Sequence, residues 1–194
     1  MICLHQITKE HLEDIARAFA ASFSSDDGII PACMNEEEAY HYFYVTLDAY
    51  QKRGKLYALS EKEEAYCVYY RKNKGLPWYM DLVLMYRYMK AIPAKAMQKM
   101  LLVRQGWTDY TIFHFDTKDF VDVCLVCVRR EYQGQGYLRK LLEEPFAEAE
   151  KAGIPCILDT DTPLKAAKYE HTGMRIEKDE VLKSGIHMYT MIRD

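Results

Sequence analysis

Residues 120–136, FVDVCLVCVRREYQGQG, join a long apolar run to two closely spaced glycines, and a leucine-rich helical pattern follows. The run is apolar at both sets of alternating positions. That predicts a strand in the middle of a sheet, covered on both faces. Leu138, Leu141, Leu142, Phe146 and Ala149 then recur at helical spacing, with Pro145 among them expected to kink the helix. Between strand and helix stand Gly134 and Gly136. Glycine lets the backbone turn where a side chain would clash, or come close to a ligand. Successive N–H groups at such a junction face a common point at the positive end of the helix, which favours a diphosphate. Arg129, Arg130, Arg139 and Lys140 can add charge at its rim. A plain glycine turn is the other reading of the same residues.

The 194 residues suffice for one domain with a full-sized core. The formal net charge of −3 advertises no basic field for nucleic acid or for a membrane. Charges interrupt MICLHQITKEHLEDIARAF too early for a signal peptide. No apolar stretch approaches the roughly 18–20 residues of a membrane span. A cytoplasmic location with free thiols is therefore expected for the six cysteines. Cys124 and Cys127 look like half a zinc site, but strand alternation should send them to opposite faces, and no metal is expected.

Elsewhere, CLHQI reads as a short strand, and Leu12, Ile15, Ala16, Phe19, Ala20 and Phe23 mark an amphipathic helix. SSDDGIIP reads as a break, and Asn35 caps a helix with EEE in its first turn. KLYALS and EAYCVYYRK form a hairpin around a charged turn. Residues 76–107, rich in Met and aromatics, predict one or two helices broken at Pro93. PCILDT is a strand, PLKAAKYEHTG a short helix closed by Gly173, and HMYTMIR a last strand that could pair across a homodimer. Hairpins early and a strand–helix–strand unit late give one domain of α/β (α+β) class with a mixed sheet.

Among phosphate-binding loops, the P-loop pattern is absent. The dinucleotide fingerprint counted from Gly134 meets Arg139 where glycine or alanine belongs. The pattern Gln/Arg-x-x-Gly-x-Gly/Ala fits Gln133-Gly134-Gln135-Gly136-Tyr137-Leu138 up to its last position. One helix and one strand later comes LDTDTPLKAAKYEHTGM. The pair resembles the GCN5-related N-acetyltransferases (GNAT family). There a fourth strand leads into V-x-P-x-x-Q-G-x-G, and L-x-x-x-x-x-x-N-x-x-x-Y-x-x-x-G-F follows. Val128, Glu131 to Gly136, Leu158, Tyr169, Gly173 and Met174 occupy the matching places, and the resemblance spans about residues 120–176. It departs at Leu138 (Gly or Ala in the family), at Arg130 (often Pro), at Lys165 (Asn) and at Met174 (Phe).

The resemblance implies a single GNAT-like domain over 1–194, splayed between its fourth and fifth strands. Residues 1–107 would form the acceptor-side half and 108–194 the cofactor-side half. It implies acetyl-CoA as co-substrate, held by backbone at Val126, Cys127 and Val128 and by Gln133, Gly134, Gln135, Gly136, Tyr137 and Leu138, with Lys165 nearby. It implies acetyl transfer to a primary amine, small molecule or peptide, by direct attack, with Tyr169 protonating the departing thiolate; a core tyrosine is the alternative. Asp122 interrupts an apolar strand and is a candidate general base, or else a strand-end residue bound to backbone. His114 and Asp116 are weaker candidates. Trp78, Tyr79, Asp81, Tyr86 and Tyr88 could line the acceptor pocket or simply bury their rings. A catalytically degenerate acyl-CoA sensor is the competing function, and a nucleotide-binding protein a third.

Overall fold

A computed structural model describes residues 1–25, 27–105 and 119–194. The elements are β1 (Ile2–Leu4), α1 (Lys9–Phe23), α2 (Ile29–Cys33), α3 (Glu36–Gln51), β2 (Leu56–Ala58), β3 (Ala65–Arg71), α4 (Tyr79–Ala91) and α5 (Ala94–Val103). After them come β4 (Val121–Val128), α6 (Tyr137–Ala152), β5 (Cys156–Thr160), α7 (Pro163–Glu170), β6 (Arg175–Val181) and β7 (His187–Arg193).

Seven strands form one sheet in the order β1-β2-β3-β4-β5-β7-β6. Every pairing is antiparallel except β4–β5. A parallel neighbour needs a crossover, and α6 supplies it. β4 is central, as its two-sided apolar pattern requires. Its Cys127 packs with Phe19 of α1 and Phe43 of α3 on one face of the sheet. Val121 and Val123 pack with Leu141 and Leu142 of α6 on the other.

Local signals explain the helix starts. Asn35 accepts from the Glu38 N–H at 2.9 Å, and the Glu38 carboxylate accepts from the Asn35 N–H at 2.9 Å. That reciprocal capping box satisfies two N–H groups that the first turn would otherwise leave unpaired. Gly136 and Gly153 bound α6 in left-handed conformations, and the helix runs through Pro145 to Ala152.

Three elements differ from the sequence expectation. GIIP begins α2 instead of breaking the chain, because Pro31 falls in a first turn, where its missing N–H costs nothing. RIEKDEV is a strand, β6, without apolar alternation because it is the exposed edge of the sheet. Its charges suit an edge that must not recruit other strands. The last strand, β7, lies between β5 and β6 and is not free to pair with a second copy.

Cys124 and Cys127 also depart from simple alternation. Val68 pairs with Leu125 but Tyr69 pairs with Val123, so Cys124 is an extra residue on β4. This β-bulge re-phases the strand. Both cysteines consequently face α1 and α3.

Candidate acyl-CoA site

β4 and β5 are held together only at their starts, through Val121↔Cys156 and Asp122↔Ile157. Beyond Asp122 the two strands separate, although β4 continues to Val128 and β5 to Thr160. On its other side β4 is paired with β3 along its whole length. The result is a wedge-shaped opening with one rigid backbone edge.

The opening leads to the glycine loop. Arg130–Tyr132 makes one 3-10 turn, and Gly134 (φ 75°) and Gly136 (φ 80°) then take left-handed conformations. A Cβ on either glycine would meet nothing within 4 Å. Space in front of the loop is therefore open, and it is the backbone sign of φ that demands glycine. The Gln133 side-chain amide donates to the Val128 carbonyl at 3.1 Å, and that of Gln135 to the Glu131 carbonyl at 2.9 Å. Both side chains brace the loop from within. Tyr132 and Tyr137 meet edge to face at 5.5 Å, and the Lys140 ammonium lies 4.9 Å from the Tyr137 ring centre. Leu138 packs into the α6 core cluster with Leu141 and Leu142, so its bulk goes into the core.

The four rim cations separate into two groups. Arg129 donates to Asp14, to the Tyr66 hydroxyl and to the Glu63 carbonyl, which ties β4 to α1 and to the hairpin turn. Arg130 donates to the Ala21 carbonyl at 2.6 Å. Arg139 and Lys140, in the first turn of α6, are exposed beside the loop.

Tyr169, on α7, packs against the same face of the sheet as α6. Burial raises its phenol above the ordinary range, and Cys67 and Asp161 push it further. Cys67 pairs with Val126, in the stretch of β4 that borders the opening. Lys165 is 2.7 Å from Asp161 and 5.0 Å from the centre of the Phe23 ring. Asp161 also accepts from the Ile29 N–H at 2.7 Å. This group, invisible to motif reading because its members are so far apart in sequence, ties α7 to the α1–α2 region.

Asp122 lies on the opposite face. Cys124 Sγ is 3.5 Å from its carboxylate and 3.1 Å from the Tyr70 hydroxyl. Tyr50 of α3 stacks on Tyr70 at 5.9 Å. Burial, then the Asp122 charge, raises the Tyr70 phenol. Alternation already puts Cys124 on the same face as Asp122, and the bulge brings Cys127 to that face as well. Tyr169 and Asp122 thus approach β4 from its two faces. His114 and Asp116 lie outside the described residues.

Of the aromatic residues expected around an acceptor, Tyr88 turns inward. Its hydroxyl is 2.7 Å from Thr46, and its ring stacks on Tyr42. Trp78, Tyr79 and Tyr86 face solvent.

Solved structures match this architecture over nearly their whole length. Drosophila melanogaster polyamine N-acetyltransferase matches with a TM-score of 0.63 at 13% identity, covering 97% of both chains. An N-acetyltransferase from Staphylococcus aureus Mu50 matches at 0.60 and 14%, covering 97% of this chain and 98% of that one. The chain has the GNAT fold. Aedes aegypti arylalkylamine N-acetyltransferase 2 matches at 0.58 and 14%, covering 96% and 95%. No family model and no curated protein matches the sequence. No described helix is long and apolar enough to cross a membrane.

Proposed function

We propose that this protein is an acetyl-CoA-dependent N-acetyltransferase acting on a primary amine. The observation that carries the reading is the open edge of β4 ending on two left-handed glycines at the start of α6. The residues present fit the co-substrate. A diphosphate would sit on the N–H groups of 134–138, with Arg139 and Lys140 beside it. The pantetheine arm would run along Val126, Cys127 and Val128 as an added strand, and a β4 N–H would stabilise charge growing on the thioester oxygen.

The amine attacks the thioester carbon, the tetrahedral adduct collapses, and CoA leaves as a thiolate that Tyr169 protonates. A phenol raised by burial keeps its proton until that thiolate needs it. Asp122 takes the proton lost by the amine. No cysteine serves as nucleophile: burial pushes Cys127 up to about 12 and Cys124 well above the ordinary thiol range. Lys165, locked to Asp161, holds α7 and therefore Tyr169 in place.

The first test is thermal unfolding beside acetyl-CoA, CoA, NADH and ATP. A ligand at about a hundred times its Kd adds roughly 2.7 kcal/mol. In a chain of this size that raises the midpoint by about 5–10 °C. Shifts with acetyl-CoA and CoA alone support the reading, and no shift with either overturns it. Turnover separates the enzyme from an acyl-CoA sensor: Tyr169→Phe should lower kcat about a hundredfold and leave CoA affinity unchanged. Unchanged turnover returns Tyr169 to the core.

A further inference from the structure

The connection between β3 and β4 carries a surface that the transferase reading does not use. Helix α4 is apolar nearly all round. Its inner side sets Met80, Leu84, Tyr88 and Ala91 against Val45 and Ala49 of α3. Its outer side presents Trp78, Leu82, Met85 and Met89, spaced four, three and four residues apart, which aligns them in one stripe. Tyr79, Val83 and Tyr86 widen the stripe along one flank. Trp78 is 79% exposed, Leu82 65% and Met89 63%. Apart from Asp81, Arg87 and Lys90 the helix is apolar or aromatic, so its outer side is a second apolar face in need of cover. Large apolar side chains exposed contiguously along one helix, and not scattered singly, mark an interaction surface.

Charge decides what covers it. Between residues 72 and 104, seven Lys and Arg stand against one Asp, a net of +6, which leaves −9 for the rest of the chain. Arg87 is held by Asp48 at 2.7 Å. Lys90 and, from outside this segment, Arg53 border the apolar face. Arg53, from the end of α3, donates to the Tyr79 hydroxyl at 3.3 Å, and the Lys90 ammonium lies 4.5 Å from the Tyr86 ring centre. Lys95 and Lys99 follow, exposed on α5.

We propose that the outer face of α4, with the start of α5, docks on an anionic lipid surface. The Leu and Met side chains would enter the acyl boundary, Trp78 and the tyrosines would lie at headgroup depth, and the lysines would meet anionic headgroups. A second copy of the chain is the poorer occupant, because pairing the face with itself brings two basic segments together.

The test uses the full chain and co-sedimentation with phosphatidylcholine vesicles, with and without phosphatidylserine. Binding is expected to the phosphatidylserine vesicles at low salt and to be lost at about 1 M salt, where charges are screened within about 3 Å. Leu82→Glu with Met85→Glu should abolish binding without changing the unfolding midpoint, since both residues are exposed. Lys95→Gln and Lys99→Gln should each weaken it about fivefold. Brominated lipid should quench an emission that Trp78→Phe removes. Three results each overturn the proposal: no binding at low salt, binding untouched by the Leu82/Met85 change, or a dimer in solution that this change dissociates and that ignores vesicles. None of these readouts depends on acetyl transfer.

Discussion

The β4 wedge and the α4–α5 connection are built from similarly apolar sequence, yet they behave oppositely. Around β4, each apolar side chain finds a partner: Val121 and Val123 meet α6, and Leu125 and Cys127 meet α1 and α3. What remains open there is backbone, on the side where β5 turns away. On α4 the backbone is satisfied within the helix and the side chains remain open. An exposed strand edge invites an extended, hydrogen-bonding ligand such as a pantetheine arm. An exposed apolar helix face invites a surface with no hydrogen-bonding demand. Which groups a fold leaves unsatisfied therefore indicates the chemistry of the partner.

The largest expected effect strikes the wedge. Gly134→Glu places a side chain at φ 75° and a negative charge where the proposed diphosphate would sit. CoA affinity, measured by calorimetry, should fall more than about a hundredfold while the fold survives, because the position is exposed. A folded variant with normal affinity would remove the loop from the site. Next is a pair of leucines that sharpens the contrast between buried and open surface. Leu141→Ala, in the core beneath α6, should cost about 2–5 kcal/mol in denaturant unfolding, and Leu82→Ala less than about 0.5. A large cost at Leu82 would mean that α4 hides its outer face after all.

Alkaline pH probes the core below the wedge. Burial raises the phenols of Tyr66 and Tyr69 well above the ordinary tyrosine value near 10. The unfolded chain then releases these protons first, so their contribution is complete below about pH 10 and is lost as pH rises beyond it. Stability should decline there by about 1.4 kcal/mol per pH unit for each such phenol. A flat profile to pH 12 in equilibrium unfolding would show that they are not buried. Asn35→Ala, which removes the capping box of α3, should cost about 1 kcal/mol and leave CoA affinity unchanged.

Much of the second half of the fold was legible beforehand because its signals are local. Gln133 to Gly136, the leucines of α6 and the Tyr169–Gly173 spacing each lie within one element and its junction. The acceptor side was less legible. Trp78, Tyr79 and Tyr86 carry the composition of a pocket wall, and only the packing of α4 on α3 turns them outward. The net charge of −3 concealed a basic segment, since a sum over the chain has no spatial content.

By itself the sequence determined the central position of β4, the glycine loop, the Asn35 cap and most of the elements, though not α2 or β6. These follow from side-chain periodicity and backbone stereochemistry, which act over a few residues. Tertiary structure alone decided four things: where β5 leaves β4, that a bulge brings Cys127 to the face of Cys124, that Arg129 serves α1 and not the loop, and which half of α4 meets solvent. Each depends on segments distant in the chain competing for the same space, and local pattern carries no record of who wins.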